Sequence, residues 1–345
     1  MKEYNVAIVG IGGVGTEMLR ILKQRNFPCK SLQIFARSTR DEVVDGVTYN
    51  VKGVTEDGLD SIDIAFFAGG EKAEDHYGWK ALERRKTLTE LPKLTVIDNG
   101  NAFRMYPNVP LVVPEVNPEA LKNNNGLIAS PNCSTIQMVA ALKPLHDVAK
   151  IKRVVVSTYQ AVSGKSADAR AELLKQTNDV AAGNAPVVDT NIFPYPIYGN
   201  CLPHIDSFLD DGYTKEELKV IQETRKIMSD DTMLITCTAV RVPVDNCHAE
   251  SVNVEFYNPL SAKQAHDIWE NTPGIIVQDA VKNNIYPLQS EASGRDEVFV
   301  GRIRDDYSIP NGTGLNFWVV SDNLRKGAAL NTIQIAEKMM EMGLL

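Results

Sequence analysis

Near its N-terminus the chain reads VAIVGIGGVGTEMLRIL, an apolar run that meets Gly10, Gly12 and Gly15 and passes straight into a helix-like stretch. This G-x-G-x-x-G spacing has the setting that makes it meaningful, with a strand before it and a helix start after it. Glycines allow a tight turn and let phosphate oxygens approach the backbone N–H groups, and the helix N-terminus favours negative charge. The first part of the chain is thereby committed to a strand–turn–helix unit of a doubly wound α/β sheet. Gly10, Gly12, Gly13, Val14 and Gly15 are its candidate cofactor contacts.

The next segments keep to that plan. Short apolar runs at 5–9, 31–35, 63–68, 94–98 and 126–129 read as strands, and 13–25 and 71–85 as helices. Strand–helix alternation implies a parallel sheet with crossover helices. The second strand, LQIFARSTR, ends without the Asp or Glu that would bind a ribose 2′-hydroxyl. It offers Arg37, Ser38, Thr39 and Arg40 instead, a set suited to a 2′-phosphate and so to NADP(H) over NAD(H). Gly69, with Ala68 and Gly70, follows a further sheet strand and belongs to the same candidate site.

After Ile151 the pattern changes. Strands are read at 153–159, 233–242, 251–257, 298–304 and 315–320, with helices near 167–176, 215–227 and 262–269. This describes a second, α+β domain on a largely antiparallel sheet. The expected boundaries are 1–132 plus a C-terminal helix 323–345 for the first domain, and 133–322 for the second.

With 43% hydrophobic and 23% charged residues the chain suits an ordinary soluble globular protein. Its net charge of -8 argues against nucleic-acid and anionic-membrane partners. Five scattered cysteines with no C-x-x-C argue against a disulfide framework and a zinc knuckle, and no metal site is expected. No signal peptide and no membrane-length apolar run is read, so the expectation is a cytoplasmic protein.

One of those cysteines is different. In SPNCSTIQ, Cys133 stands where a short strand hands over to a helix. In the first turn of a helix a thiol is favoured as thiolate, the nucleophilic form, and Asn132 can cap. Cys29, Cys201, Cys237 and Cys247 are read as structural. The segment SPNCSTIQMVAALKPL resembles the active-site segment of the aspartate-β-semialdehyde dehydrogenase family. The likeness continues through VVVSTYQAVSG, NCLPHIDSFLDDGYTKEELKVIQETRKI, TAVRVPVDNCHAES, DEVFVGRIR and VVSDNLRKGAALNTIQIAE, nearly the whole chain. It implies a Rossmann-like NADP-binding domain and a catalytic and dimerisation domain. It also implies a homodimer or a pair of dimers, and NADPH-dependent reductive dephosphorylation of L-aspartyl-4-phosphate to the semialdehyde with release of inorganic phosphate. Two features depart from the family. The loop GIGGVG is one residue shorter than its usual G-x-T-G-x-V-G, and ALERRKTLTELPKLTVIDNG is longer than expected.

The resemblance also distributes roles. Cys133 is the nucleophile, His248 the acid/base and Gln160 the residue orienting the acyl group. Arg241 binds the substrate α-carboxylate, since a guanidinium forks onto two oxygens. The short connection PVDNC places Arg241 and His248 together at one sheet end. In YTKEELK, Thr214 and Glu217 have capping-box spacing, which leaves Glu216 and Lys219 sharing a helix face. The family pattern gives Glu216 the substrate amino group and Lys219 the phosphate, with Arg104 and Asn132 completing the phosphate site. Ser163, Gly164 and Asn323 match nicotinamide-side contacts. His76, His146 and His266 are read as surface groups, and His204 as packing or interface. Two rivals stay open. One is a reductase of N-acetylglutamyl phosphate, whose capped amine would not suit Glu216; the other is a nucleotide-binding paralogue without catalysis.

Overall fold

Six residues, Tyr4–Val9, form β1, and five of them are buried, as a central strand covered on both faces requires. A computed structural model describes residues 2–70 and 72–345. The chain divides into two units, one running to Pro131 and taking in Ala328–Leu345, the other Asn132–Gly327.

In the first unit β1 is followed by α1 (Gly13–Gln24), β2 (Cys29–Ala36), β3 (Arg40–Val44), β4 (Val47–Gly53), β5 (Ile64–Phe67), α2 (Tyr77–Arg85), β6 (Thr95–Asp98) and β7 (Leu127–Ala129). The sheet order is β3-β4-β2-β1-β5-β6-β7, and every pair is parallel except β3–β4. Winding reverses at β1, between β2 and β5, so the loops after β1 and β5 flank the crevice where such sheets hold ligands. The core joins Val6, Ile8, Met18, Leu19, Ile34 and Phe66 to Leu330, Ile333 and Met339 of the closing helix, Leu330–Glu341.

Two local expectations are corrected. Residues 40–53, left without structure above, form the β3–β4 hairpin, whose turn Asp45–Gly46 has positive φ at both positions. Asp-Gly is the usual dipeptide for that turn, so a signal was present. The helix expected over 71–85 begins at Glu71, which lies outside the described residues. The rest is a 3₁₀ turn, Ala73–Asp75, and then α2, broken at His76. His76 is no surface group: it is 1% exposed, caps α2 by accepting from Trp79 N at 3.2 Å, and lies against Phe67 and Phe103.

The second unit contains α3 (Cys133–Ala149), β8 (Ile151–Gln160), α4 (Ala167–Ala181), α5 (Lys215–Met228), β9 (Leu234–Arg241), β10 (His248–Phe256), α6 (Ala262–Glu270), β11 (Ile275–Val277), the single turn α7 (Gln289–Ala292), β12 (Val298–Asp305) and β13 (Gly314–Ser321). Its sheet runs β11-β12-β13-β10-β8-β9, antiparallel through the middle and parallel at both ends. The α/β reading with a largely antiparallel second sheet holds; β11 was not foreseen. Helix α3 packs on the sheet and is buried all round from Ser134 to Leu142, as a helix inside a core must be. The proline-rich stretch after α4 folds inward through Phe193 and Ile197, which pack with Val162 and Ala169.

Candidate active site

Cys133 is the first residue of α3, a helix of 17 residues with no acidic side chain in its first turn. Asn132 caps it, its Oδ1 accepting from Ser134 N at 3.0 Å and Thr135 N at 3.4 Å. The other end of that amide is also occupied, Nδ2 donating to Glu216 Oε1 at 2.9 Å. Glu223, unmarked in the sequence, accepts from Asn132 N at 2.6 Å and so anchors the cap to α5. Gly327 closes the other side, because a Cβ there would lie 3.0 Å from Cys133 Cβ. Burial pushes the thiols of Cys237 and Cys247 upward, toward the inert protonated form, whereas Cys201 lies exposed and is not the buried structural cysteine expected.

Three strand ends meet at Gln160, the last residue of β8. Its register partners are Arg241, the last residue of β9, and His248, the first of β10. The expected juxtaposition of Arg241 and His248 is present, yet the inferred route is corrected. β9 and β10 are not neighbours: the PVDNC connection steps over β8, which lies between them. Gln160 is 1% exposed and donates from Nε2 to Ser134 Oγ at 2.9 Å and Glu216 Oε1 at 3.0 Å, while its Oε1 is buried without a partner among the described residues. Ser134 was not anticipated; a serine after a cysteine carries no sequence signal of this kind.

His248 is fully buried, its Nδ1 accepting from Ala161 N at 3.1 Å. The neutral ring therefore carries its proton on Nε2, which has no protein partner among the described residues. Burial first, and the Arg241 charge second, push its pKa down to about 3. Arg241 donates from Nη1 to Ala161 O at 2.7 Å. Burial lowers its pKa too, while Glu216 and Cys133 favour its charged form, which puts the thiol within Coulombic reach of the guanidinium. Gly164 packs on both, since a Cβ there would fall 2.7 Å from the His248 ring and 3.1 Å from Arg241 Nη1.

The anticipated capping box is present: Glu217 Oε2 accepts from Thr214 N at 2.7 Å, and Glu217 N donates to Thr214 Oγ1 at 3.3 Å. That fixes the start of α5 and turns Glu216 into the site. Glu216 is 6% exposed and accepts from Asn132, Gln160 and, at 3.3 Å, Lys219. Lys219 Nζ also donates to Asp206 Oδ2 at 2.7 Å, a partner the sequence did not suggest. Burial pulls Lys219 down, but Glu216 and Asp206 outweigh it and its pKa is raised. Asn323 Oδ1 accepts from Ser163 Oγ and from Cys247 N, both at 3.0 Å, joining these residues to the backbone just before His248.

In the first unit, Gly12 caps α1 and no side chain caps it. Space over Gly12 and Gly13 is open, whereas a Cβ at Gly15 would fall 1.8 Å from Gly10 O. Gly10 and Gly69 have positive φ. An uncapped helix N-terminus behind open glycines fits a pyrophosphate. Arg37, Ser38 and Thr39 lie exposed after β2, while Arg40 pairs with Glu42 at 3.0 Å. Thr39 Oγ1 accepts from Gly53 N at 2.9 Å. Arg104, 8% exposed, donates to Gly100 O at 3.0 Å and Asn99 O at 2.9 Å.

Comparison with known proteins agrees with both units. Residues 5–124 match the family described as semialdehyde dehydrogenase, NAD binding domain, and 142–326 the semialdehyde dehydrogenase, dimerisation domain. The chain is 48% identical to an aspartate-semialdehyde dehydrogenase of Aquifex aeolicus over 99% of each chain. It is 42% identical to one of Synechocystis over 100% of this chain and 99% of that one. The crystal structure of aspartate semialdehyde dehydrogenase II from Vibrio cholerae complexed with ASA superposes with a TM-score of 0.90, at 43% identity over 99% of each chain. A long helix that begins at a cysteine, a buried imidazole and a glycine-rich strand–helix turn thus occur in one chain with matching relatives along its whole length: it belongs to the aspartate-semialdehyde dehydrogenase family of nicotinamide-dependent oxidoreductases.

Proposed function

We propose that this enzyme reduces L-aspartyl-4-phosphate to L-aspartate-4-semialdehyde with NADPH, through a thioester on Cys133. The observation that carries the reading is the placement of Cys133 at the N-terminus of α3, within reach of the Arg241 charge. The thiolate attacks the acyl carbon, a C–S bond forms, the C–O bond to phosphorus breaks, and inorganic phosphate leaves. When bound, NADPH supplies the hydride that takes the acyl group to the aldehyde level.

The other residues bind, orient and hold protons. His248 enters as the neutral Nε2–H form, so it acts first as a donor to the acyl oxygen on which charge develops, and as a base only once that proton has been given. Gln160 orients the acyl group. Arg241 forks onto the α-carboxylate, and Glu216 takes the substrate ammonium, a role that favours aspartyl phosphate over an N-acetylated analogue. Lys219, held charged by Glu216 and Asp206, meets the phosphate together with Asn132; for Arg104 the phosphate role rests on the resemblance and on its chemistry. Ser163, Gly164 and Asn323 serve the nicotinamide side. Arg37, Ser38 and Thr39 take the 2′-phosphate, and the assembly is a homodimer or a pair of dimers.

Phosphate-dependent formation of NADPH from the semialdehyde tests the reading. Cys133→Ala is expected to abolish it while leaving NADPH binding unchanged, and mass spectrometry should find an acyl adduct on Cys133 when L-aspartyl-4-phosphate is supplied and NADPH is withheld. Turnover surviving in Cys133→Ala would remove the thioester from the mechanism. Catalytic efficiency should be higher with NADP than with NAD, and the reverse order would overturn the assignment of Arg37.

A further inference from the structure

One buried acid has no part in the roles above. Glu250 lies on β10 two residues after His248, on the same face of the strand. It is 0% exposed, and neither carboxyl oxygen has a hydrogen-bond partner among the described residues. Its cross-strand neighbours are Thr158 and Val319, and α3 packs against its strand. Gln137 follows Cys133 by four residues, so the two share a face of α3. Gln137 is also 0% exposed; its Oε1 accepts from Ser321 Oγ at 2.7 Å, and its Nε2 has no hydrogen-bond partner among the described residues. Ser321, in turn, is the register partner of His248 on β13.

Burial pushes the Glu250 carboxyl up to about 8, with Gln137 opposing the rise from outside hydrogen-bond geometry. The group is therefore un-ionised near neutrality and can both donate and accept. A buried polar group without partners weakens a fold, and an apolar side chain of similar shape is tolerated as well or better. Core stability thus gives no reason for an acid here, and an orphaned polar group of this kind calls for another one.

We propose that Glu250 is a positioning residue for the reaction: acting on the Gln137 amide, which Ser321 holds by its hydrogen bond, its carboxyl dipole aligns α3, which begins at Cys133, with β10, which begins at His248, and so sets the thiol against the imidazole. The proposal rests on the reading of Cys133 and His248 given above. Helix α3 carries Gln137 four residues beyond Cys133, and β10 carries Glu250 two residues beyond His248; polar groups with direction at these positions resist a shift of the helix along the sheet. No proton passes through Glu250 in this role.

The test uses the full-length enzyme, with semialdehyde oxidation as assay and thermal unfolding alongside. Glu250→Leu is expected to leave the unfolding midpoint unchanged or raise it by a few degrees. The same change should leave KM within about twofold and lower kcat roughly tenfold or more, as small misplacements of reacting groups do. Glu250→Gln, which still donates and accepts, should keep kcat within about threefold. Gln137→Met, on the opposing helix, should lose kcat as Glu250→Leu does, and it carries the test if the latter does not fold. Full kcat in Glu250→Leu and Gln137→Met overturns the proposal. So does Glu250→Gln as slow as Glu250→Leu, which would mean that the carboxyl proton itself is used. A kcat loss that follows a matching loss of unfolding midpoint would reduce the group to a structural one. Cys133→Ala is run in parallel: if it stays active, the thioester reading fails on its own account, whatever Glu250 does.

Discussion

Gly164 shows how closely the residues of the site are fitted. Its missing side chain is what lets the Ala161–Gly164 backbone lie against the His248 ring and the Arg241 guanidinium. Gly164→Ala should therefore move both groups: kcat falls about tenfold or more, because reacting groups displaced by a fraction of an ångström lose alignment, and the substrate KM rises with the displaced fork. Steady-state kinetics of the folded variant check this, and unchanged values for both constants would refute the packing. In the sequence Gly164 stood out only through a family match on the nicotinamide side, and its contact with His248 was invisible. Cys133 was the opposite case. A cysteine between strand and helix, after an N-capping asparagine, can be recognised from eight residues because capping and the helix dipole act over one turn.

At the scale of elements, local grammar was legible and pairing was not. The strand–turn–helix of the glycine loop, the Asn132 cap and the Thr214–Glu217 box depend on residues within five positions of one another, and each forms as read. Gly15 is the strictest of them. In Gly15→Ala the new methyl would meet Gly10 O, so α1 must retreat from the loop, at a cost of about 1–3 kcal/mol. The variant should unfold at a lower temperature and lose NADPH affinity in a fluorescence titration; wild-type affinity would count against phosphate binding at this loop. The insertion of β8 between β9 and β10 had no such marker. Seven positions separate Arg241 from His248, and a hairpin was the economical inference, yet both strands instead pair with β8, which comes far earlier in the chain.

For the whole molecule the buried titratable groups predict how stability varies with pH. His248 has a folded pKa near 3 against an ordinary value of 6.5, so its contribution is present above pH 6.5 and is lost as pH falls toward 3. Glu250 runs the other way: raised from 4.5 to about 8, it contributes most below pH 4.5, and that contribution is lost as pH rises through 8. Each group tilts the profile by up to about 1.4 kcal/mol per pH unit inside its own window. The two oppose one another between 4.5 and 6.5, and Glu250 alone acts from 6.5 to 8. Denaturant unfolding should show stability declining over that upper interval, and Glu250→Gln should flatten the decline; an unchanged slope would mean that the carboxyl is already ionised in the folded protein. By itself the sequence determined the local devices: the turn that can take a phosphate, the helix that begins at a cysteine, the cap that aims Glu216. These follow from steric and hydrogen-bonding limits among near neighbours. Tertiary structure alone decided that Gln160 lies between Arg241 and His248, that His76 is buried, that Asp206 holds Lys219 and that Glu250 has no hydrogen-bond partner among the described residues. Burial and cross-strand contact are set by segments far apart in the chain, and no short window of sequence contains them.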